Sequence, residues 1–104
     1  MVNELDSSQL ADLVRVANRP ALVLFYGNWC VDCVRFKPTW QSWTLDKETG
    51  VYALEIARGA REWDEWRIDE IPTVAAFAKG AERGRAHGTI SADDLDRLWQ
   101  LVEA

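Results

Sequence analysis

A chain of 104 residues with 48% apolar side chains and six tryptophans can bury one real core, so residues 1–104 are expected to form a single domain without disulfide staples. Twelve Lys and Arg against 17 Asp and Glu leave a net charge of −5 with no basic cluster, which argues against a nucleic-acid partner. The longest apolar runs reach about six residues where a membrane span needs roughly 20, and "MVNELDSSQL" lacks the basic and apolar regions of a secretion signal. A soluble, cytoplasmic protein with no membrane contact is expected.

Val2 to Leu5 read as a short edge strand, and Asp6 or Ser7 then offers an oxygen to the free amides of a helix. Leu10, Leu13, Val14 and Ala17 fall at i, i+3, i+4 and i+7 along that helix, and Asn18 to Pro20 end it. "ALVLFY" (Ala21 to Tyr26) is apolar on both faces, as suits a central strand covered by helices on both sides. Phe36, Trp40 and Trp43 place a second helix over about Cys30 to Glu48, kinked at Pro38.

Gly50 to Ala57 read as the next strand, and Gly59 to Trp66 as a short helix with Trp63 and Trp66 on one side. Thr73 to Ala78 follow as a strand, Lys79 to Gly84 as a turn and Arg85 to His87 as a short returning strand, which makes an antiparallel hairpin. Ser91 and Asp94 form a capping-box pattern before a last helix whose apolar stripe is Leu95, Leu98, Trp99 and Val102. The order β-α-β-α-β-α-β-β-α predicts an α/β domain, a central mixed sheet flanked by helices.

The chemistry is concentrated in "NWCVDC", Asn28 to Cys33, which holds both cysteines. Two intervening residues at a helix start let the sulfurs meet, while free helix amides and the positive dipole end favour a thiolate. Cys30 is expected to be the exposed sulfur. Spacing alone allows a redox pair, half of a metal site, or two inert thiols. A tetrahedral zinc or iron–sulfur site wants four ligands, and the chain offers two cysteines and one histidine, His87, so a metal reading needs two chains pooling their pairs in a dimer. Inert thiols need burial, which sits poorly with polar Asn28 and Asp32 beside them.

"LVLFYGNWCVDC", Pro38 five residues after Cys33, "IPT" at Ile71 to Thr73 and "HG" at His87–Gly88 together resemble thioredoxin, in order and spacing, through nearly the entire chain. The resemblance implies the thioredoxin fold and a thiol–disulfide oxidoreductase that reduces protein disulfides, with Cys30 as nucleophile and Cys33 as resolving thiol. It also implies a cis Ile71–Pro72 bond beside the site. Such a bond exposes the Ile71 backbone to an extended substrate segment, while Pro72 packs against the sulfurs and keeps metals out. Trp29, Ile71 and Gly88 match the family's apolar substrate surface, to which Val31 is added, and His87 stands where the family usually has an apolar residue in the substrate loop. The implied partners are disulfide-containing substrate proteins and an external reductase such as thioredoxin reductase. The implied protein is a monomer carrying electrons by dithiol–disulfide cycling with no tightly bound cofactor. A non-catalytic binding module using the same groove is the alternative.

The chain departs from that family in three places. Val31–Asp32 replaces the usual "GP", Leu24 stands at the buried aspartate, and Ala53 replaces the lysine that accompanies it, so the usual proton relay near Cys33 is missing. "WCxDC" also resembles thioredoxin-related proteins with "WCPDC", without their proline. Asp32 is expected to act on the helix N-terminus, with acceptance of the Cys33 proton as its other role. Trp40, Trp43, Trp63, Trp66 and Trp99 are expected in the core or on its flanks. The acidic run Asp64, Glu65, Asp69 and Glu70, close to Pro72, reads either as solvated surface or as a feature that favours basic substrates.

Overall fold

In the computed structural model, which describes residues 2–103, the chain is built around strand β2 (Ala21–Tyr26), whose first five residues are buried. Ala21, Val23 and Phe25 face one core with Leu10, Val14, Leu54, Trp66 and Phe77; Leu22 and Leu24 face a second with Phe36, Trp40, Val74, Leu95 and Leu98. A strand apolar on both faces is stable only with a helical layer on each side, and that is its position here. Beside it lie β1 (Asn3–Glu4), β3 (Val51–Glu55), β4 (Thr73–Ala78) and β5 (Ala81–His87), in sheet order β1-β3-β2-β4-β5. β1 and β2 run parallel to β3, β4 is antiparallel to β2, and β5 is antiparallel to β4. The helices are α1 (Ser7–Ala11), α2 (Val31–Thr44), α3 (Glu62–Glu65) and α4 (Ala92–Glu103). The mixed α/β sheet flanked by helices is the architecture that the element order implies.

Caps fix the helix starts. Asp6 accepts from the Gln9 amide at 2.7 Å while Gln9 Oε1 accepts from the Asp6 amide at 2.9 Å. Ahead of α4, Asp94 Oδ2 accepts from the Ser91 amide at 2.9 Å, and Ser91 Oγ accepts from the Asp94 amide at 3.1 Å.

Four elements differ from the sequence reading. After Ala11 the first helix widens into a π-helical turn, Asp12–Val16, closed by Ala17 N–H donating to the Asp12 carbonyl at 2.8 Å. The wider turn carries Ala17 past the core, so it is exposed instead of completing the apolar stripe. α2 ends at Thr44, whose hydroxyl donates back to the Trp40 carbonyl at 2.8 Å, short of Glu48. α3 is a single turn and does not begin at Gly59.

The hairpin turn is shorter than Lys79 to Gly84. Lys79 and Gly80 both take positive φ, 56° and 78°, the conformation of a two-residue turn, so β5 already starts at Ala81. Glu82, Arg83 and Arg85 are part of that strand because it is the sheet edge, where charges are tolerated and block further pairing. Among the described residues no helix is long and apolar enough to cross a membrane.

Candidate active site

β2 ends at Tyr26, and the short segment Gly27 to Trp29 carries the chain over the end of the sheet to Cys30. Cys30 is extended, with φ −96° and ψ 116°, and occupies the N-cap of α2. Its Sγ accepts from the Cys33 amide at 3.2 Å, the place usually taken by a Ser, Thr or Asp oxygen. A sulfur there faces a helix amide and the positive end of the helix dipole, both of which favour negative charge on it. The Cys30 thiol also reaches the Ile71 carbonyl at 3.5 Å.

Both cysteines are free thiols and both are buried, 8% exposed for Cys30 and 7% for Cys33. The expectation of an exposed Cys30 is corrected by this, because Ile71 covers the sulfur from the β4 side. Burial, the hydrogen bond with Cys30, and the negative charges of Cys30 and Asp32 push the Cys33 thiol up to about 12, with a Gly27 backbone hydrogen bond opposing them. Cys33 therefore stays protonated at neutral pH.

Ile71 and Pro72 approach from the start of β4, joined by a cis peptide bond, and both are buried. Thr73 Oγ1 donates to the Glu70 carbonyl at 2.6 Å, and the Gly88 amide donates to the Pro72 carbonyl at 3.1 Å. The first bond closes the turn around Pro72, and the second ties it to the residue after β5. Gly88 takes φ 76°, which a side chain would strain. Cys30, Cys33, Ile71, Pro72 and Gly88 are thus linked in one site.

Trp29 is 39% exposed, with its indole N–H donating to the Ile56 carbonyl at 3.1 Å. Val31 is exposed on the first turn of α2, and so is Val34, a residue the sequence reading missed although it lies four residues after Cys30 on the same helical face. Asp32, on that same turn, is exposed and lies 3.8 Å from Arg35. His87 ends β5 opposite Thr73 and hydrogen-bonds Glu70 at the surface.

Behind Cys33 a cavity of about 330 Å³ is walled by Leu24, Phe36, Ala53 and Pro72, with Glu4 and Tyr26 among its polar members. Strand register explains this grouping: Glu4 pairs with Ala53, and Ala53 with Leu24, so the three form one row across the sheet. Tyr26 donates its hydroxyl to Glu4 at 2.8 Å, and burial together with that carboxylate raises its ionisation well above the usual tyrosine range. Among the described residues no group of three or more His, Cys, Asp and Glu side chains is placed to hold a metal ion.

A five-strand mixed sheet that delivers a C-x-x-C pair from its central strand to the start of a helix defines a thioredoxin-fold dithiol protein. The family model for thioredoxin matches residues 1–100, and the chain belongs to the thioredoxin family. Thioredoxin from Mycoplasmoides gallisepticum is 27% identical over 88 residues, covering 84% of this chain and 88% of that one. Thioredoxin from Chlamydia trachomatis is 24% identical over 99 residues, covering 94% and 95%. Among solved structures, Malassezia sympodialis thioredoxin superposes with a TM-score of 0.81 at 16% identity, covering 98% of this chain and 91% of that one. Spinach chloroplast thioredoxin f gives 0.78 at 19% identity, covering 99% and 94%. Family membership and the paired thiols support a redox thiol–disulfide protein.

Proposed function

We propose that the protein reduces disulfides of other proteins by dithiol–disulfide exchange, with Cys30 as nucleophile and Cys33 as resolving thiol. The observation that carries this reading is the Cys33 amide on the Cys30 sulfur at 3.2 Å, at the positive end of α2. Cys30 thiolate attacks one substrate sulfur, forms the mixed disulfide and releases the other sulfur as a thiolate, which takes a proton from water. Cys33 then gives its proton to water and attacks Cys30 Sγ. The second substrate thiolate leaves, and a Cys30–Cys33 disulfide remains; two electrons have passed to the substrate.

The inequality of the two thiols suits this order. A Cys33 held up to about 12 does not compete for substrate. Once Cys30 is in the mixed disulfide, it carries no charge to oppose Cys33 ionisation, and intramolecular attack outruns escape of the substrate. Trp29, Val31, Ile71 and Gly88 form the substrate groove with His87 at its rim, the Ile71 backbone pairs with an extended segment, and Pro72 shields the sulfurs. Asp32 tunes the pair through its charge. An external reductase, such as a thioredoxin reductase, returns the two electrons. The protein acts in the cytoplasm as a monomer and needs no bound cofactor.

Insulin reduction with dithiothreitol, followed as turbidity, tests this reading. The wild type should turn over and Cys30→Ser should be inactive; undiminished turnover in the variant would mean that another group attacks.

A further inference from the structure

Trp29 is fixed from several sides. Its N–H is held by the Ile56 carbonyl at 3.1 Å, the Trp63 ring centroid stands 6.2 Å away, and Gly27 lies so close that an added Cβ would come within 2.6 Å of the indole nitrogen. On this ring rests the guanidinium of Arg58, 4.4 Å from the centroid. Stacking engages the face of a guanidinium and leaves its edge, with planar N–H donors, free to grip a carboxylate.

That edge has no carboxylate partner among the described residues, whereas Arg35, Arg85 and Arg97 each pair with one. Glu55 accepts from the Asn28 side chain at 2.7 Å, and Glu65 accepts from the Ser7 hydroxyl at 2.5 Å, so these two carboxylates are engaged elsewhere. Glu70, in the acidic run that the sequence suggested would favour basic substrates, is bonded to His87. Arg58 is therefore a pre-positioned, unpaired cation on the residue that directly precedes Cys30.

We propose that Arg58, held on Trp29, is a specificity-determining residue that binds a carboxylate side chain flanking the substrate cysteine attacked by Cys30. Protein disulfides next to Asp or Glu are then preferred over those in neutral surroundings. The inference rests on the exchange reading given above. The cation–π contact holds the guanidinium on the neighbour of Cys30 while its N–H donors stay available to the ion pair.

The test uses two disulfide peptides that differ only in a Glu or Gln beside the cysteine, with kcat/KM measured for each. S-methylated, non-exchanging versions of the same peptides supply affinities. Wild type should favour the Glu peptide by about three- to tenfold in both measurements, less so at high salt. R58Q should erase the Glu-to-Gln preference, and R58E should reverse it. An unchanged Glu-to-Gln ratio in R58Q would overturn the proposal, as would equal affinities in the wild type. Loss of turnover with both peptides would instead remove the exchange reading, and the affinity ratio would still judge Arg58.

Discussion

The Cys33 amide donates to the Cys30 sulfur across 3.2 Å, so one member of the pair supports negative charge on the other while its own thiol is held neutral by burial. The same helical turn thereby separates two side chains of identical chemistry into an attacking and a waiting thiol. The consequences reach stability, potential and substrate contact.

Alkali should destabilise the reduced protein through Cys33. An unfolded cysteine titrates near about 8.5, whereas the folded Cys33 titrates at about 12. Between those values the unfolded chain has lost a proton that the folded chain keeps. The stabilisation is thus complete below a pH of about 8.5 and is lost as the pH rises towards the folded value, with a limiting slope of about 1.4 kcal/mol per pH unit. Urea unfolding of the reduced wild type should show this extra slope relative to Cys33→Ser; parallel pH curves would mean that the thiol is not held neutral.

Asp32→Asn should make the pair less reducing. Asp32 follows Cys30 by two residues on the first turn of α2, where its negative charge opposes a thiolate on Cys30, so its removal favours the reduced form. Asp32 is exposed and lies beside Arg35, which weakens its field; an effect of about 5–20 mV towards less negative potential is expected. Equilibration with glutathione measures it, and a shift to more negative potential would mean that Asp32 does not act as a repelling charge.

Gly27→Ala should dislodge Trp29. The new Cβ meets the indole nitrogen at 2.6 Å and the Ile56 carbonyl oxygen at 3.2 Å, and the second of these is backbone that cannot swing away. A loss of about 1–3 kcal/mol is expected in denaturant unfolding, together with a displaced Trp29 indole N–H resonance. An unmoved resonance and unchanged stability would show that the ring is not seated on Gly27.

Pro72→Ala should weaken both fold and activity. The ring is fully buried and lines the cavity beside Cys33, and its carbonyl holds the Gly88 amide at 3.1 Å. Emptying that space should lower stability by about 1–3 kcal/mol and loosen the Ile71 carbonyl that meets the Cys30 thiol, lowering kcat/KM for insulin. Wild-type values of both quantities would remove Pro72 from the site.

Local chemistry made much of this legible. "ALVLFY" had to be a strand covered on both sides, and "NWCVDC" placed Cys30 at a helix start because cap, dipole and apolar periodicity act over a few residues. The π-helical turn escaped because the same apolar residues fit an α-helical stripe, and only the position of Ala17 betrays it. Charged Glu82 and Arg83 read as a turn because exposure at a sheet edge depends on which strand lies outside. The Glu4–Ala53–Leu24 row and the Arg58–Trp29 stack depend on strand register and on contacts between distant segments, which no local pattern encodes.

Trapping the intermediate tests the assignment of the two thiols most directly. Cys33→Ser protein is mixed with oxidised insulin, quenched with acid, and its adducts are mapped by mass spectrometry. The account predicts mixed disulfides through Cys30 that accumulate because nothing resolves them, and no comparable adduct in Cys30→Ser. Adducts that form through Cys33 in Cys30→Ser, with none through Cys30 in Cys33→Ser, would contradict it.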